Sequence, residues 1–504
     1  MTSEIQNQEA LTANCEKEQL HLSGQIQNIG YMIVADADTL DIVAASDNIS
    51  GLTGADPQQM LSLSLSAMDW LPESLLIELN SSPGSRAYAF NHYIHKERMH
   101  LRSFRAESRI IIEVEPARSE HSFSYAGNNG KFPGSSRDTD WDETDYWNHL
   151  LDELMAILPF HRFVLYRFSD DFSGEVVAER AEGGDTQYLG LKFPASDIPA
   201  IARQMYYENP SRLIADVNAS ATDLIGKDEE TVNLTWSELR SVSPVHNQYL
   251  KNMGVCTSYS IPLMISNRLW GIVSCHHPTA LPLDAQFRYE AEQSVRRFCS
   301  TYATYLSRRK LAMLRDYDDV LSSLLAQMTL TDDADEANQF FVDALKARYE
   351  ASHVALRVKD GWYHSDQEDA FSQDLDKIDR KYRQDISDYI LHTQSVRDID
   401  GLGDITASQL RGLMTIRVSF ERNAPRLYLF RPPEAQITNW AGNPDKNKQA
   451  QSGSNVLSPR TSFEKWTQVK GESSMPWSTG DILFAKKVRV SMLNLINQSH
   501  GNWS

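Results

Sequence analysis

The thiols able to do covalent chemistry in these 504 residues are few and widely spaced. Four cysteines, Cys15, Cys256, Cys275 and Cys299, lie far apart without metal-ligand spacing, so they suggest neither a disulfide framework nor a zinc site. Each thiol is judged singly. A thiolate is a soft nucleophile able to add to a conjugated vinyl group. Cys15, in a polar lead beside Asn14 and Glu16, is either such a nucleophile or an incidental free thiol, and Glu16 and Glu18 disfavour its thiolate. The other three cysteines read as buried small hydrophobes. His276 and His277 follow Cys275 directly, yet successive side chains on a strand point to opposite faces, so these three cannot converge on one ion without a bulge. Asp197 stands between Pro194 and Pro199, which fix φ on either side of it. That is a rigid turn or the N-cap of a following helix, and both can hold. Arg212 and Arg240 carry planar guanidinium groups suited to bidentate recognition of carboxylates, although isolated arginines are more often surface ion pairs.

The chain that must position these groups is too long for one core. At roughly 150 residues per domain about three domains are expected. An apolar fraction of 41% fits a packed globular chain, and 10% aromatic residues is ample for walls around a planar ligand. No run approaches the ~18 to 20 apolar residues of a membrane span, and the start, MTSEIQNQEA, has neither the basic residues nor the apolar run of a signal peptide. A cytoplasmic protein is expected. The net charge of −19 argues against nucleic-acid binding.

After a polar lead of about 25 residues, the segments YMIVAD, LDIVAAS, AYAFNHYI and RIIIEVEP read as strands, with a short helical stretch near QQMLSLSLSAMDWL. A Gly/Ser/Asp-rich stretch, SYAGNNGKFPGSSRDTDWDE, is too polar to bury and reads as a linker. A second α+β unit has strands FVLYRF, GEVVAER, SYSIPLMI and LWGIVSCHH. Beyond it Phe287, Ala291, Val295, Phe298, Tyr302 and Leu306 recur at helical steps, predicting a long connecting helix. The third unit has strands HVALRVKDGWY, GLMTIRVSF and RLYLFRPP and then an excursion of about fifty residues, either a floppy surface loop or a functional one, before a last helix from about Asp481. The fold class is α+β in three tandem domains with antiparallel sheets and flanking helices: 1–122, 123–315 and 316–504, the excursion covering about 432–480.

Several local sequences are similar to those of phytochromes: PASDIP with the downstream YYENPSRLIADV, LRSVSPVHNQYLKNMGV, LWGIVSCHH, WAGNP and PRTSF, in family order and spacing. With Cys15 they cover nearly the whole chain as PAS, GAF and PHY domains. The resemblance implies a red/far-red photoreceptor holding a bilin. Plant and cyanobacterial members carry the attachment cysteine just before the histidine matching His246; Val245 stands there and cannot make the bond. Attachment then falls to Cys15 by a thioether, the bacterial arrangement, which implies biliverdin IXα.

The resemblance further implies that Arg212, Arg240, Ser258 and Ser260 hold the propionates. Tyr166, Phe193, Tyr206 and Tyr249 would wall the rotating ring, with Tyr188 a further candidate. His246 would stack over the inner rings and His276 donate to the rotating ring's carbonyl; Ile198, Pro199 and Ser243 join the chromophore-binding set. The Asp197 carbonyl would accept from the pyrrole N–H groups and its carboxylate pair with Arg460. The excursion matches the family's tongue, with Ser462 replacing Arg460 in the other light state and Trp440 and Trp477 as alternative anchors; such a bistable element needs two packings a few kcal/mol apart. Leu191, where far-red-resting relatives often carry glutamine, leans towards a red-absorbing dark state. The family's usual Ile-Gln-Pro-His-Gly reads Ile26-Gln27-Asn28-Ile29-Gly30 here. A parallel homodimer through the GAF and PHY helices is implied, with Ile482, Ala485, Met492 and Ile496 forming a seam. Kinase and cyclase motifs are lacking, so catalysis is expected to belong to a partner or a C-terminal output domain, a histidine kinase or a diguanylate cyclase. The competing readings are a PAS/GAF sensor of a cyclic nucleotide or other small molecule, and a hydrolase using Asp197 and His246, which lacks a nucleophile constellation.

Overall fold

The computed structural model describes residues 19–77, 82–118, 141–184, 187–227, 231–359, 361–365, 371–405, 407–444, 463–471 and 473–498. Cys15, Arg460 and Ser462 lie outside them. The chain forms two compact units, Met1–Thr304 with Asn439–Trp466, and Tyr305–Thr438 with Thr467–Ser504. Among the described residues no helix is long and apolar enough to cross a membrane.

In the first unit the strands are β1 (Gln25–Gln27), β2 (Tyr31–Asp36), β3 (Ile42–Ser46), β4 (Arg86–Ile94), β5 (Glu97–Ala106), β6 (Arg109–Pro116), β7 (Arg162–Phe168), β8 (Gly174–Ala181), β9 (Lys192–Phe193), β10 (Arg212–Ile214), β11 (Ala221–Gly226), β12 (Thr257–Ile265) and β13 (Arg268–His277). One sheet runs β1-β11-β3-β2-β6-β5-β4. The alternation in β6 decides its faces: Ile110, Ile112 and Val114 enter one core with Ile33 and Leu101, while Ile111 turns the other way. Glu113 and Glu115 share that second face, buried. Their charges are met by Arg102 and Arg288, which also reach Glu238.

The expected segment YMIVAD is β2, but β1 and β11 escape an alternation test, β1 because it has three residues and β11 because Ala-Thr-Asp-Leu-Ile-Gly does not alternate. Their pairing carries the N-terminal segment into the neighbouring domain. Gln25 lies opposite Asp223, Gln27 N–H donates to the Leu239 carbonyl at 2.6 Å, and Ile26 bridges Arg240. The Gln27 side chain accepts from Ala215 N–H at 3.0 Å and donates to the carbonyls of Leu213 at 2.9 Å and Glu238 at 3.3 Å. Asn28-Ile29 therefore leaves this route intact, since the Ile-Gln pair before it makes the ties.

The second sheet runs β10-β12-β13-β7-β8-β9. Its core face is built by Leu213, Tyr259, Ile261, Val273, Cys275, Phe163 and Leu165, all buried. Two helices are well motivated by sequence. Glu143–Ile157 starts at a reciprocal capping box between Asp142 and Asp145, both bonds at 3.0 Å. Ala285–Thr329 is the expected connector, and Ala291, Val295, Phe298 and Tyr302 form its buried stripe, Tyr302 taking the Trp147 indole N–H at 3.1 Å.

The second unit has β14 (His353–Val358), β15 (Gly361–His364), β16 (Ile390–Thr393), β17 (Gly412–Arg417) and β18 (Arg426–Arg431) in the order β15-β14-β18-β17-β16. The single expected strand HVALRVKDGWY is two, turning after Lys359, whose φ is 53°. Both faces of the sheet are covered. Val354, Leu356, Met414, Ile416 and Leu429 meet helices Ala334–Tyr349 and Thr479–Gln498, while Ala355, Leu413, Tyr428 and Phe430 meet helix Ser372–Asp385. This packing corrects the expected dimer seam. Ala485 and Met492 are fully buried in the unit's own core, with Ile482 and Ile496 packed against it, so the helical stripe marks an intramolecular face. Trp477 is likewise a core residue: its indole N–H donates to the Thr393 carbonyl at 3.2 Å and Arg431 lies 4.1 Å from its ring centroid. The excursion supplies β19 (Gln436–Ala441) and β20 (Lys465–Lys470), which extend the second sheet of the first unit, Trp440 lying parallel to Lys192 of β9.

Candidate functional site

Residues directly opposite in an antiparallel sheet share a face, so the registers alone say which side chains assemble. One row runs Arg212, Ser260, Ser274, Val164, Glu179; the next runs Ile214, Ser258, His276, Arg162, Ala181; a third holds Ile272 and Tyr166. Arg212, Ser258, Ser260, His276 and Tyr166, five residues singled out in the sequence, therefore stand on one face. Cys275 is on the other. Gly174 lies against this face without a side chain, because a Cβ there would sit 1.8 Å from Tyr166 Cζ.

Opposite stand the turn and two helices. Asp197 ends a short 3-10 turn, and Pro199 caps helix Ala200–Glu208 with φ −63°, the value its ring imposes. The turn is held by Arg203, which donates to the carbonyls of Ala195 and Ile198 while its guanidinium stacks over Phe172. Arg203 was missed in the sequence, where its place one turn into the helix after PASDIP was the available signal. Ser243 is the N-cap residue of helix Pro244–Asn252, without a side-chain capping bond. That helix presents His246 and Tyr249, whose rings stack at 6.0 Å, and Tyr249 Oη donates to Asp197 Oδ2 at 3.1 Å. Phe463 meets Tyr249 edge-on at 5.2 Å. Tyr166 and Tyr188 each lie 6.0 Å from Phe193, and Leu191, Ile198 and Ala441 complete this apolar wall.

The electrostatics are unusual for a plain sheet. Arg212 donates to the carbonyls of Glu238, Arg240 and Ser241 at 3.2, 2.6 and 2.9 Å. Arg240 is buried, and among the described residues its side chain makes one hydrogen bond, to Met205 Sδ at 3.7 Å. Among the described residues neither guanidinium has a carboxylate in ion-pair contact, so burial holds Arg212 down to about 10, and burial with the like charge of Arg212 holds Arg240 well below the ordinary arginine range. Burial pushes the Tyr206 phenol up, opposed by the Ser260 hydroxyl beside it. His246 is accessible yet surrounded by protein, which describes a concave wall; burial and Arg212 hold its imidazole down to about 4. His276 Nδ1 is buried without a hydrogen-bond partner. No cluster of metal-ligating side chains occurs among the described residues.

Burial first, then Arg162 and His246, holds His276 down to about 4 from 6.5, so it is neutral at pH 7. The unfolded chain takes up this proton first as pH falls, so stability is full above the ordinary value and is lost progressively down to the folded one. Melting temperature should fall between pH 7 and pH 5, and fall less in His276→Gln; parallel curves would remove His276 from the account.

Models of three families match the chain: the PAS fold over residues 15–117, the GAF domain over 143–306 and the phytochrome region over 318–500. A bacteriophytochrome of Pseudomonas aeruginosa is 30% identical over 497 residues, 96% of this chain and 66% of that protein. The chain belongs to the phytochrome family. A bacteriophytochrome of Xanthomonas campestris is 26% identical, covering 94% of this chain and 77% of that one. The photosensory core module of the Stigmatella aurantiaca phytochrome superposes with TM-score 0.78 at 25% identity, covering 96% of this chain and 98% of that one. A bacteriophytochrome from R. palustris gives TM-score 0.79 at 24% identity over 97% and 100%, a likeness of fold. Phytochrome relatives are thus matched along the PAS-GAF-PHY part, and the chain spans 66% of the length of the first of them.

Proposed function

We propose that this phytochrome module senses red and far-red light through biliverdin IXα bound covalently at Cys15, converting reversibly between two light states. One observation carries the reading: among the described residues Arg212 and Arg240 stand as two guanidiniums without a carboxylate in ion-pair contact, Arg212 on the sheet face that also bears His276 and Tyr166. A buried Arg240 that feels the like charge of a half-buried Arg212 is costly unless an anionic ligand meets them, and two propionates on a planar apolar molecule do so. A cyclic nucleotide offers one phosphate and leaves the second arginine unmatched.

The bilin supplies a light-driven double-bond isomerisation. Arg212 and Arg240 hold the propionates, with Ser258 and Ser260 adding hydroxyls, and with Tyr206, expected among the ring walls, beside Ser260 and the two arginines instead. Neutral His276 offers its unpartnered Nδ1 to a ring carbonyl, and neutral His246 stacks on the inner rings with Ser243 beside it. The Asp197 carbonyl accepts from pyrrole N–H groups, the turn around it being kept rigid by Pro199 and Arg203. Tyr166, Phe193, Tyr249 and Ile198 shape the space in which the last ring turns. In the tongue, which carries Trp440, Arg460 pairs with Asp197 and Ser462 replaces it in the other state. The reading includes a homodimer in the cytoplasm and a C-terminal output domain, a histidine kinase or diguanylate cyclase, driven by the connecting helix.

Coexpression with a haem oxygenase should give a coloured protein whose red and far-red absorption bands exchange under alternating light. A colourless protein, or a pigment that does not interconvert, would sink this reading.

A further inference from the structure

The hairpin of β7 and β8 holds a carboxylate to which the pocket described above gives no task. Glu179 has a fully buried side chain, paired with Arg162 across the sheet. Its oxygens also accept from three consecutive backbone N–H groups: Gln187 at 3.1 Å, Tyr188 at 2.8 Å and Leu189 at 2.8 Å. Gly183 and Gly184 before these residues, and Gly190 after them, have φ near +80°, so the segment is bounded by backbone that few side chains permit. Of the three residues gripped, only Tyr188 is buried. Its ring meets Phe193 edge-on, and Arg162 lies 5.4 Å from its centroid. Arg162 is also directly opposite His276 in the register.

We propose that Glu179 is a positioning residue of the chromophore site: one carboxylate sets Tyr188 against Phe193 and neutralises Arg162 where that guanidinium faces His276. The role rests on the bilin reading above, and it acts through Tyr188 and Arg162. A carboxylate is the group for it, because it only accepts and can meet all four donors at once. Glutamine has the same shape but replaces one oxygen by an NH2: with its carbonyl kept at the Tyr188 and Leu189 N–H groups these bonds lose their charge assistance, the Gln187 N–H loses its acceptor, and Arg162 loses the charge of this carboxylate. A loosened Tyr188 gives the turning ring more room.

Two measurements test this. In the pigment-free full chain, amide hydrogen exchange in 187–189 should quicken at least 100-fold in Glu179→Gln, while β13 amides keep their rates. In the pigment-loaded chain, thermal return from the light state should quicken at least tenfold, and Glu179→Asp, which keeps the charge one methylene short, should recover part of both effects. Should Glu179→Gln fail to fold, Glu179→Asp is measured alone, and smaller changes in the same directions are expected. Unchanged exchange overturns the anchoring. Faster exchange with an unaltered return rate overturns the link to the site. A wild-type chain that takes no pigment sinks the bilin reading, and this role with it, whereas pigmented wild type with either negative result sinks this role alone.

Discussion

Replacing Arg240 by methionine is expected to weaken pigment binding by roughly 10- to 150-fold, the equivalent of about 1.5–3 kcal/mol for a hydrogen bond to a charged group, without destabilising the pigment-free protein. The two halves of this result point in opposite directions for a structural arginine. Arg240 is buried and, among the described residues, has no carboxylate in ion-pair contact and makes its side-chain hydrogen bond to a methionine sulfur, so an apolar side chain of similar length removes a desolvation cost and leaves the packing. Arg212 is different. It also ties the carbonyls of Glu238, Arg240 and Ser241, and its replacement costs fold as well as affinity. The affinity is best read by titrating biliverdin in a Cys15→Ser background, where binding is reversible, and the stability by urea unfolding without pigment. Lost stability with unchanged affinity would return Arg240 to an ordinary structural role.

Cys15→Ser is expected to abolish covalent pigment, seen as zinc-induced fluorescence on a denaturing gel, while leaving part of the pigment bound in native protein. The step needs a thiolate: sulfur bonds to a vinyl carbon, the C=C π bond is lost and a proton adds to the neighbouring carbon, with no net oxidation. The other three thiols are poorly placed to supply it. Burial raises the Cys275 thiol well above the ordinary range and pushes Cys299 up to about 12. Cys256, expected to be buried, is half-exposed near the start of β12, yet burial of its sulfur and a hydrogen bond to Asp216 Oδ1 at 3.3 Å raise it too. Covalent label retained in Cys15→Ser would move the attachment to Cys256.

Much of the fold is legible because its strands alternate, as at the end of RIIIEVEP, or carry a dense apolar run, as in YMIVAD. β1 and β10, of three residues each, and the mixed sequence of β11 carry no such signal; only their partners, far away in sequence, make them strands. The pocket divides in the same way. Asp197, His246 and His276 stand in local motifs that can be recognised as strings. That Arg212 and His276 face the same way, and that Cys275 faces away from them, follows from register and needs the sheet. Glu179 had no signal at all, since its partners are backbone N–H groups of a loop. The apolar spacing of Ile482, Ala485 and Met492 marks a covered face, and what covers it is the unit's own core and not a second chain, because periodicity tells that a face is covered and not by which chain.

The pairing of β1 with β11 also bears on how the chain is made. Gln25 Nε2 donates at 2.7 Å to Asp223 Oδ1, which lies 198 positions further along the sequence. At a ribosomal pace of 5–20 residues per second the partner emerges roughly 10 to 40 s after the first strand does. Throughout that interval the backbone of Gln25–Gln27 is an open edge, and β3 waits beside it for the same strand. The earliest strand of this sheet to leave the ribosome is therefore among the last to be paired, and nascent chains halted before residue 221 should be more prone to aggregate than those halted beyond 241.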